Sequence, residues 1–464
     1  MRISRSSVTQ QSTTRYAQQY GKMKRIVILG GGESGYGSAV LAKAKGFDTF
    51  LSDAGVIADK YRLALESEGI DYEQGGHTEE RILSADLVVK SPGIPDKAPM
   101  VKALREKGVP IVSEIEFARP FSKGRTLCIT GSNGKTTTTT LTHRILAEAG
   151  YDVAVGGNIG QSYALSVARD DKEWYVLELS SFQLDGCVDF VADIAVLMNI
   201  TPDHLDRYNY LFQNYVDSKM RIVRGHTPAN HFIYCGDDKT ILAEVEKIGP
   251  TSQRHPFGKC NISGEVATVE LDGKTLNIDL NRLHIKGLHN AYNAMAASLA
   301  AMAAGVSTEQ IERTLYTFEG VEHRLEKVAT IGGVEWINDS KATNVDSVWY
   351  ALESMTKPTV WIAGGTDKGN DYEPLKDFVA RKVKTLVCMG VNNEKLLEEF
   401  RGIVPVYNTS SLEECVKVCA QVAVAGDAVL LSPACASFDL FKNYEQRGTL
   451  FKQKVLALKD DEQR

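Results

Sequence analysis

Short apolar runs that end in glycine-rich or polar turns recur along this chain. Arg25-Ile26-Val27-Ile28-Leu29 leads into Gly30-Gly31-Gly32-Glu33-Ser34-Gly35, Thr49-Phe50-Leu51-Ser52 ends at Asp53, and Leu87-Val88-Val89-Lys90 ends at Ser91-Pro92-Gly93-Ile94-Pro95. Continuous apolar runs bounded by turn residues read as strands buried on both faces, the pattern of a parallel sheet covered by helices. The pattern returns at Cys128-Ile129-Thr130 and at 174–179 and 194–200, then again at 358–363, 385–389 and 428–432. Helix-like stretches separate these runs, among them 138–149 and an alanine-rich run after Gly287.

Chemistry concentrates where the strands end. Cys128-Ile129-Thr130-Gly131-Ser132-Asn133-Gly134-Lys135-Thr136-Thr137 places a strand end, a glycine loop and a Lys-Thr pair directly before a helix-like run. That order builds a phosphate cradle. Loop amides and the helix N-terminus face an anion, Lys135 neutralises phosphate charge, and the Thr136 hydroxyl can ligate magnesium. Ile129 stands where the full Walker form has its first glycine, so the loop reads as tighter than in most P-loops. In the first module, strand, G-x-G-x-x-G and helix are followed by Asp53, where an acid would meet a ribose hydroxyl. Alone, that match says only that a βαβ unit binds something phosphorylated and nucleotide-like. In the last module, Val360-Trp361-Ile362-Ala363 runs into Gly364-Gly365-Thr366-Asp367-Lys368-Gly369. The expectation is an α/β chain of three domains: a Rossmann-like one at 23–120, a central P-loop ATPase-like parallel sheet at 121–320, and a Rossmann-like one at 321–464.

Composition narrows the class. The net charge of −6 comes with no basic stripe, which excludes a nucleic-acid binder. Eight cysteines without a C-x-x-C pair read as reduced thiols of a cytoplasmic protein. The longest apolar run, 291–306, is alanine-rich and too short to span a bilayer, so no membrane insertion is expected. Residues 1–22 are rich in Ser, Thr, Gln and Arg, lack an apolar core and carry no acid. They cannot be a secretory signal. They weakly resemble a transit peptide, and a disordered tail before Met23 is the preferred reading.

A P-loop needs magnesium ligands. Glu178 ends an apolar strand, where a carboxylate is costly without a cation or hydrogen-bond partners. Asn199-Ile200-Thr201-Pro202-Asp203-His204-Leu205-Asp206-Arg207 follows the next strand. Asp203 and Asp206 could equally cap a helix or shape a turn, and His204 could be a satisfied interior histidine. Glu178 and His204 are nevertheless expected at the ends of neighbouring strands beside the phosphate loop, where a second metal ion would sit.

Six stretches, in order, resemble the ATP-dependent Mur ligases. They are Gly131-Ser132-Asn133-Gly134-Lys135-Thr136-Thr137, Leu177-Glu178-Leu179-Ser180-Ser181-Phe182-Gln183, Asp203-His204-Leu205-Asp206-Arg207, His289-Asn290-Ala291-Tyr292-Asn293, His323-Arg324 and Asn338-Asp339-Ser340-Lys341-Ala342-Thr343-Asn344. The resemblance spans residues 23 to 460. Ser91-Pro92-Gly93-Ile94, the 364–369 turn and Leu431-Ser432-Pro433-Ala434-Cys435-Ala436-Ser437-Phe438-Asp439 point to the branch that adds D-glutamate to UDP-N-acetylmuramoyl-L-alanine. The resemblance implies a monomer that uses ATP and Mg2+. In the implied reaction a carboxylate attacks the γ-phosphate, and the acyl phosphate is then attacked by an amine.

Site residues follow from the resemblance position by position. It implies a phosphate loop of Gly131, Ser132, Asn133, Gly134, Lys135, Thr136 and Thr137, and further ATP contacts at Asn290, Asn293, Arg324 and Asp339. The two asparagines are implied at the base, Arg324 at the phosphates and Asp339 at the ribose. It implies Ser34, Asp53, Gly93, Asn158 and His204 for the UDP substrate, and Lys368, Ser437, Thr343 and Tyr444, with Lys341 close by, for D-glutamate. Tyr444 stands where a phenylalanine is expected. Thr136, Glu178, His204 and Lys219 are the implied metal ligands, and Lys135 joins the last three as the catalytic set. Lys219 matches a lysine that the family carbamylates. An ammonium would repel magnesium, whereas CO₂ addition makes it a carboxylate-like oxygen ligand. Without the resemblance, a helix-surface lysine is the better reading. A sister ligase with another acceptor is the nearest rival, although no Asp-Asn-Pro-Arg sequence of a diamino-acid-adding relative is present. A folylpolyglutamate synthase belongs to the same group. A dinucleotide-dependent oxidoreductase resting on Gly30, Gly32, Gly35 and Asp53 leaves the phosphate loop unexplained. A P-loop switch or motor would need no amino acid.

Overall fold

The computed structural model describes residues 23–367 and 369–462. The reading of residues 1–22 as a disordered tail, and the position of Lys368, lie outside the described residues. Strands β1 (Arg25–Leu29), β2 (Asp48–Asp53), β3 (Asp71–Gln74), β4 (Leu87–Lys90) and β5 (Ile111–Val112) form a parallel sheet in the order β3-β2-β1-β4-β5. Ile26, Val27, Ile28 and Leu29 are buried, as a strand covered on both faces requires. The strand order reverses at β1, so the turns after β1 and β4 lie side by side at the carboxyl edge. The Ser91 amide donates to the Leu29 carbonyl at 2.9 Å. Such reversal points are where open α/β sheets hold ligands.

The second sheet is also parallel. It contains β6 (Arg125–Thr130), β7 (Val153–Gly157), β8 (Trp174–Glu178), β9 (Ile194–Leu197), β10 (His231–Cys235) and β11 (Gln253–Phe257), in the order β11-β10-β9-β6-β8-β7. This corrects one expectation. The strands that lead to Glu178 and His204, β8 and β9, are not neighbours, because β6 runs between them. The doubly wound order places the phosphate-loop strand at the centre, with the two candidate metal ligands on either side of it. A small antiparallel sheet follows: β12 (Ile262–Ser263), β13 (Val266–Leu271) and β14 (Lys274–Asp279). The sequence reading passed over it, although β13 alternates buried and open positions around an Asp272-Gly273 turn.

The third large sheet contains β15 (Glu326–Ile331), β16 (Val334–Asn338), β17 (Thr359–Ala363), β18 (Val383–Met389), β19 (Val406–Thr409) and β20 (Ala428–Leu431). Its order is β15-β16-β20-β17-β18-β19, with β15 antiparallel to β16 and the rest parallel. Trp361, Leu386 and Leu430 pack into the core on one face. Val360, Ile362, Val387 and Val429 pack on the other, as the two-residue side-chain period dictates.

The fold is therefore α/β with three large sheets. Contacts group the described residues into two compact units: residues 23–279 with Tyr292–Leu315, and Leu280–Ala291 with the described chain from Tyr316 onward. The first two sheets share a unit because helix Glu33–Ala44 packs tightly on helix Tyr163–Arg169. A Cβ at Gly37 would lie 1.9 Å from Ser162 Oγ, so only glycine permits that approach. Ser162 donates its amide to Glu33 at 3.1 Å and its hydroxyl to the buried Glu114 carboxylate at 2.5 Å. Among the described residues, no helix is long and apolar enough to cross a membrane.

Candidate functional site

The phosphate loop joins β6 to helix Lys135–Glu148. Gly134 has φ +83°, and a Cβ there would meet Asn293 Oδ1 at 2.6 Å, so glycine is required on two counts. The segment after β9 holds the loop from outside. Asn199 accepts from the Asn133 amide at 2.7 Å and donates back to the Asn133 carbonyl at 3.1 Å. Ser132 Oγ donates to the Thr201 carbonyl at 2.8 Å and lies 3.1 Å from the Tyr215 hydroxyl. Thr136 and Thr137 are buried in the first helical turn. Lys135 Nζ folds onto the Gly131 and Ser132 carbonyls, both at 2.8 Å.

Lys219 meets the same carbonyl. It sits on helix Phe212–Met220, and its Nζ donates to Gly131 O at 2.8 Å and lies 4.6 Å from the Tyr215 ring. The side chain is 1% exposed, so the helix-surface reading is wrong. Burial pushes its pKa well below the ordinary lysine value, and the Lys135 charge pushes further; Asp203, Glu178 and Asp185 oppose this. An amine whose charged form is disfavoured in this way is more readily available as a nucleophile. Glu178, at the end of β8, is also buried. Its Oε1 accepts from Asn158 Nδ2 at 3.0 Å, and its Oε2 has no hydrogen-bond partner among the described residues. The orphaned carboxylate oxygen, the Thr136 hydroxyl and the Lys219 amine would make an oxygen-rich donor set once the amine is carboxylated, and such a set suits magnesium.

His204 is half-exposed and not the satisfied interior histidine that was one alternative. Its backbone is left-handed (φ 52°), its amide donates to Asp203 Oδ1 at 2.9 Å, and its ring stands edge-on to Phe182 at 5.2 Å. Asp206 lies in a single 3₁₀ turn and caps no longer helix. In the first sheet, Asp53 Oδ2 accepts from the Gly31 amide at 2.6 Å and Oδ1 from Gly55 at 2.7 Å. Its carboxylate thus shapes the glycine loop. The Ser34 carbonyl accepts from Ser38 Oγ at 2.7 Å. Gly93 is exposed, and its carbonyl accepts from Arg207 at 3.4 Å.

Within the second unit, Asp339 is the centre. Its carboxylate accepts from Ser432 Oγ at 2.7 Å and from the Leu325 amide at 3.2 Å, which holds the turn that carries Arg324. Burial raises its pKa to about 7, with Arg324 and Ser432 opposing. A carboxyl pKa raised on folding stabilises the fold below the unfolded value and loses that contribution as pH rises through about 7. Asp339→Asn is therefore expected to leave the melting temperature unchanged near pH 4 and to raise it relative to the parent above pH 7. Thermal scans across pH check this, and a constant difference would disprove it.

Asn290 donates to the Lys286 carbonyl at 2.9 Å. Asn293, by contrast, belongs to the first unit. It is 3% exposed, accepts from Thr138 Oγ1 at 3.2 Å and lies against the phosphate loop. The Tyr444 ring stands 6.4 Å from that of His323, and Lys341 Nζ lies 5.3 Å from it. Thr343 is half-buried and Ser437 buried. A cleft of about 520 Å³ opens at the carboxyl ends of β17 and β18, lined by Thr366, Asp367 and Cys435 among others.

Family models match in chain order: the Mur ligase MurD-like N-terminal domain over 24–113, the Mur ligase middle domain over 129–301, and the Mur ligase glutamate ligase domain over 323–435. The UDP-N-acetylmuramoylalanine–D-glutamate ligase of Bacteroides fragilis is 52% identical over 444 residues, covering 94% of this chain and 100% of that protein. The chain belongs to the Mur ligase family. Two solved structures share the Mur ligase fold at low identity. A pseudomurein peptide ligase type C from Methanothermus fervidus aligns with a TM-score of 0.62 at 19% identity, over 94% of this chain and 100% of that one. The MurF ligase of Thermotoga maritima in complex with ADP aligns at 0.58 and 17%, over 88% and 95%.

Sequence reasoning missed several residues that shape this Mur ligase site. Asn199 and Tyr215 buttress the phosphate loop. Arg447, 1% exposed, donates to the Ser340 and Cys435 carbonyls at 2.8 and 3.3 Å, and burial pushes its pKa down to about 10. The signal for Tyr215 was available, since it lies one helical turn before Lys219. For Arg447 there was none, because its partners are 107 and 12 residues away.

Proposed function

We propose that this Mur ligase joins D-glutamate to UDP-N-acetylmuramoyl-L-alanine with cleavage of ATP, as a cytoplasmic monomer making peptidoglycan precursor. The match along almost its whole length to a named D-glutamate ligase supports the acceptor. The buried Lys219, its pKa lowered by burial, beside Lys135 and Glu178 at the phosphate loop supports the chemistry. The first domain would bind the UDP substrate through Ser34, Asp53 and Gly93, with Asn158 and His204 toward the reacting carboxylate. ATP would take Gly131 to Thr137 together with Asn290, Asn293, Arg324 and Asp339. D-Glutamate would meet Lys368, Ser437, Thr343 and Tyr444.

The alanine carboxylate attacks the γ-phosphate, giving an acyl phosphate and ADP. The amine of D-glutamate then attacks the acyl carbon, and phosphate leaves as the amide forms. Lys135 and the loop amides meet the charge that develops on the transferring phosphoryl group. Lys219 would form a carbamate as its amine nitrogen adds to CO₂ and releases a proton. Mg2+ bound by Thr136, Glu178, His204 and that carbamate would further neutralise the phosphoryl oxygens. Asn158 orients Glu178 so that its second oxygen stays available. Phosphate release is expected only when ATP, magnesium, UDP-N-acetylmuramoyl-L-alanine and D-glutamate are all present. Equal release with L-glutamate, L-alanine or meso-diaminopimelate would exclude this acceptor.

A further inference from the structure

The segment from Asn199 to Leu211 carries His204, and its backbone is unusual. His204, Asn209 and Tyr210 all have φ between 52° and 57°. Side chains other than glycine adopt that region at a cost, so neighbouring contacts must hold them there. The N-terminal half is clamped to the phosphate loop by Asn199 and Thr201. The C-terminal half is anchored by Tyr208, whose hydroxyl donates to Asp185 at 2.9 Å and whose ring stacks on Phe182.

Arg207 does something different. Its guanidinium lies 4.4 Å from the centroid of the Phe182 ring and donates through one nitrogen to the Pro92 carbonyl at 3.3 Å and through the other to Gly93 at 3.4 Å. Phe182 comes from the turn that follows Glu178, and its ring also touches His204 at 5.2 Å. Pro92 and Gly93 form the turn after β4, in the other sheet. One planar group therefore spans from the ring that touches His204 to the substrate turn of the first domain. Its two donors are fixed by the fork geometry of the guanidinium, which a lysine cannot reproduce. Its charge also reaches Lys90, at the end of β4.

We infer that Arg207 is a positioning residue that sets the register of the Pro92-Gly93 turn against His204, and through that register the affinity for the UDP substrate. This rests on the assignment of Gly93 and His204 to that substrate. It does not depend on which amino acid is the acceptor. Arg207→Ala should raise the dissociation constant for UDP-N-acetylmuramoyl-L-alanine about tenfold, the size of one lost charge-assisted contact. Calorimetry without ATP or amino acid reads this directly. The Michaelis constant for ATP and the melting temperature should change little, because the phosphate loop is held by Asn199 and Ser132. Arg207→Lys should recover less than half of the loss, and Phe182→Leu should reproduce part of it. Unchanged affinity for the UDP substrate in Arg207→Ala overturns the inference. So does a rise in the ATP constant of the same size, or a fall in melting temperature that Arg207→Lys fully repairs. If the parent enzyme binds the UDP substrate but turns over with a different amino acid, the acceptor assignment fails and the Arg207 measurement still stands.

Discussion

Lys219→Ala is expected to lower turnover about a hundred- to a thousandfold, the usual effect of deleting one group that stabilises transition-state charge. The side chain is buried against the Gly131 carbonyl, and burial together with the Lys135 charge pushes its pKa well below the ordinary lysine value. Burial disfavours the charged form of this lysine, so it is poorly suited to act as a cation. Its place beside the phosphate loop is explained if it becomes a carbamate, which supplies negative oxygens. Truncation to alanine leaves a space of roughly that size. Acetate, or another short carboxylate, should enter it and restore part of the activity, while chloride at equal ionic strength should not. A fully active Lys219→Ala enzyme would remove the residue from the mechanism. Loss of activity with no rescue by any short carboxylate, in a protein of unchanged melting temperature, would argue against the carbamate.

Glu178→Gln should separate catalysis from stability. The carboxylate is buried, one oxygen accepts from Asn158, and the other has no partner among the described residues. Burying a charge with incomplete hydrogen bonding costs stability, and a neutral isostere removes that cost. The amide oxygen of glutamine can still accept from Asn158. The variant should therefore melt at the same temperature as the parent or higher, and turn over about a hundred- to a thousandfold more slowly. Calorimetric melting and phosphate release on one preparation test both halves. A variant that loses melting temperature and activity together would make Glu178 a structural residue. One that keeps full activity would exclude it as a ligand.

Much of this protein was legible before its fold was known, because parallel sheets write themselves as local apolar runs. β1 and β4 were read with their observed bounds, as the strands are short, buried on both faces and closed by glycine or proline turns. The phosphate loop was legible for the same reason: cradle, lysine and helix start lie within ten residues. β3, β5, β7, β10 to β16 and β19 escaped; most have mixed burial that leaves no continuous apolar run, although β10 and β16 are largely buried.

By itself the sequence determined the strand-end chemistry, the α/β class and, through ordered motifs, the family. It could not determine which strand ends are adjacent. Glu178 and His204 proved to flank β6 because strand order depends on crossovers, which no local pattern encodes. Nor could it show that Lys219 is buried, since a lysine on a helix reads as solvated until the loop it faces is in place. The same holds for Asp339, whose pKa is raised by burial while Ser432, just past the end of β20 and 93 residues away, opposes the shift. Charge state and adjacency are properties of the packed environment, and only tertiary structure supplies that environment.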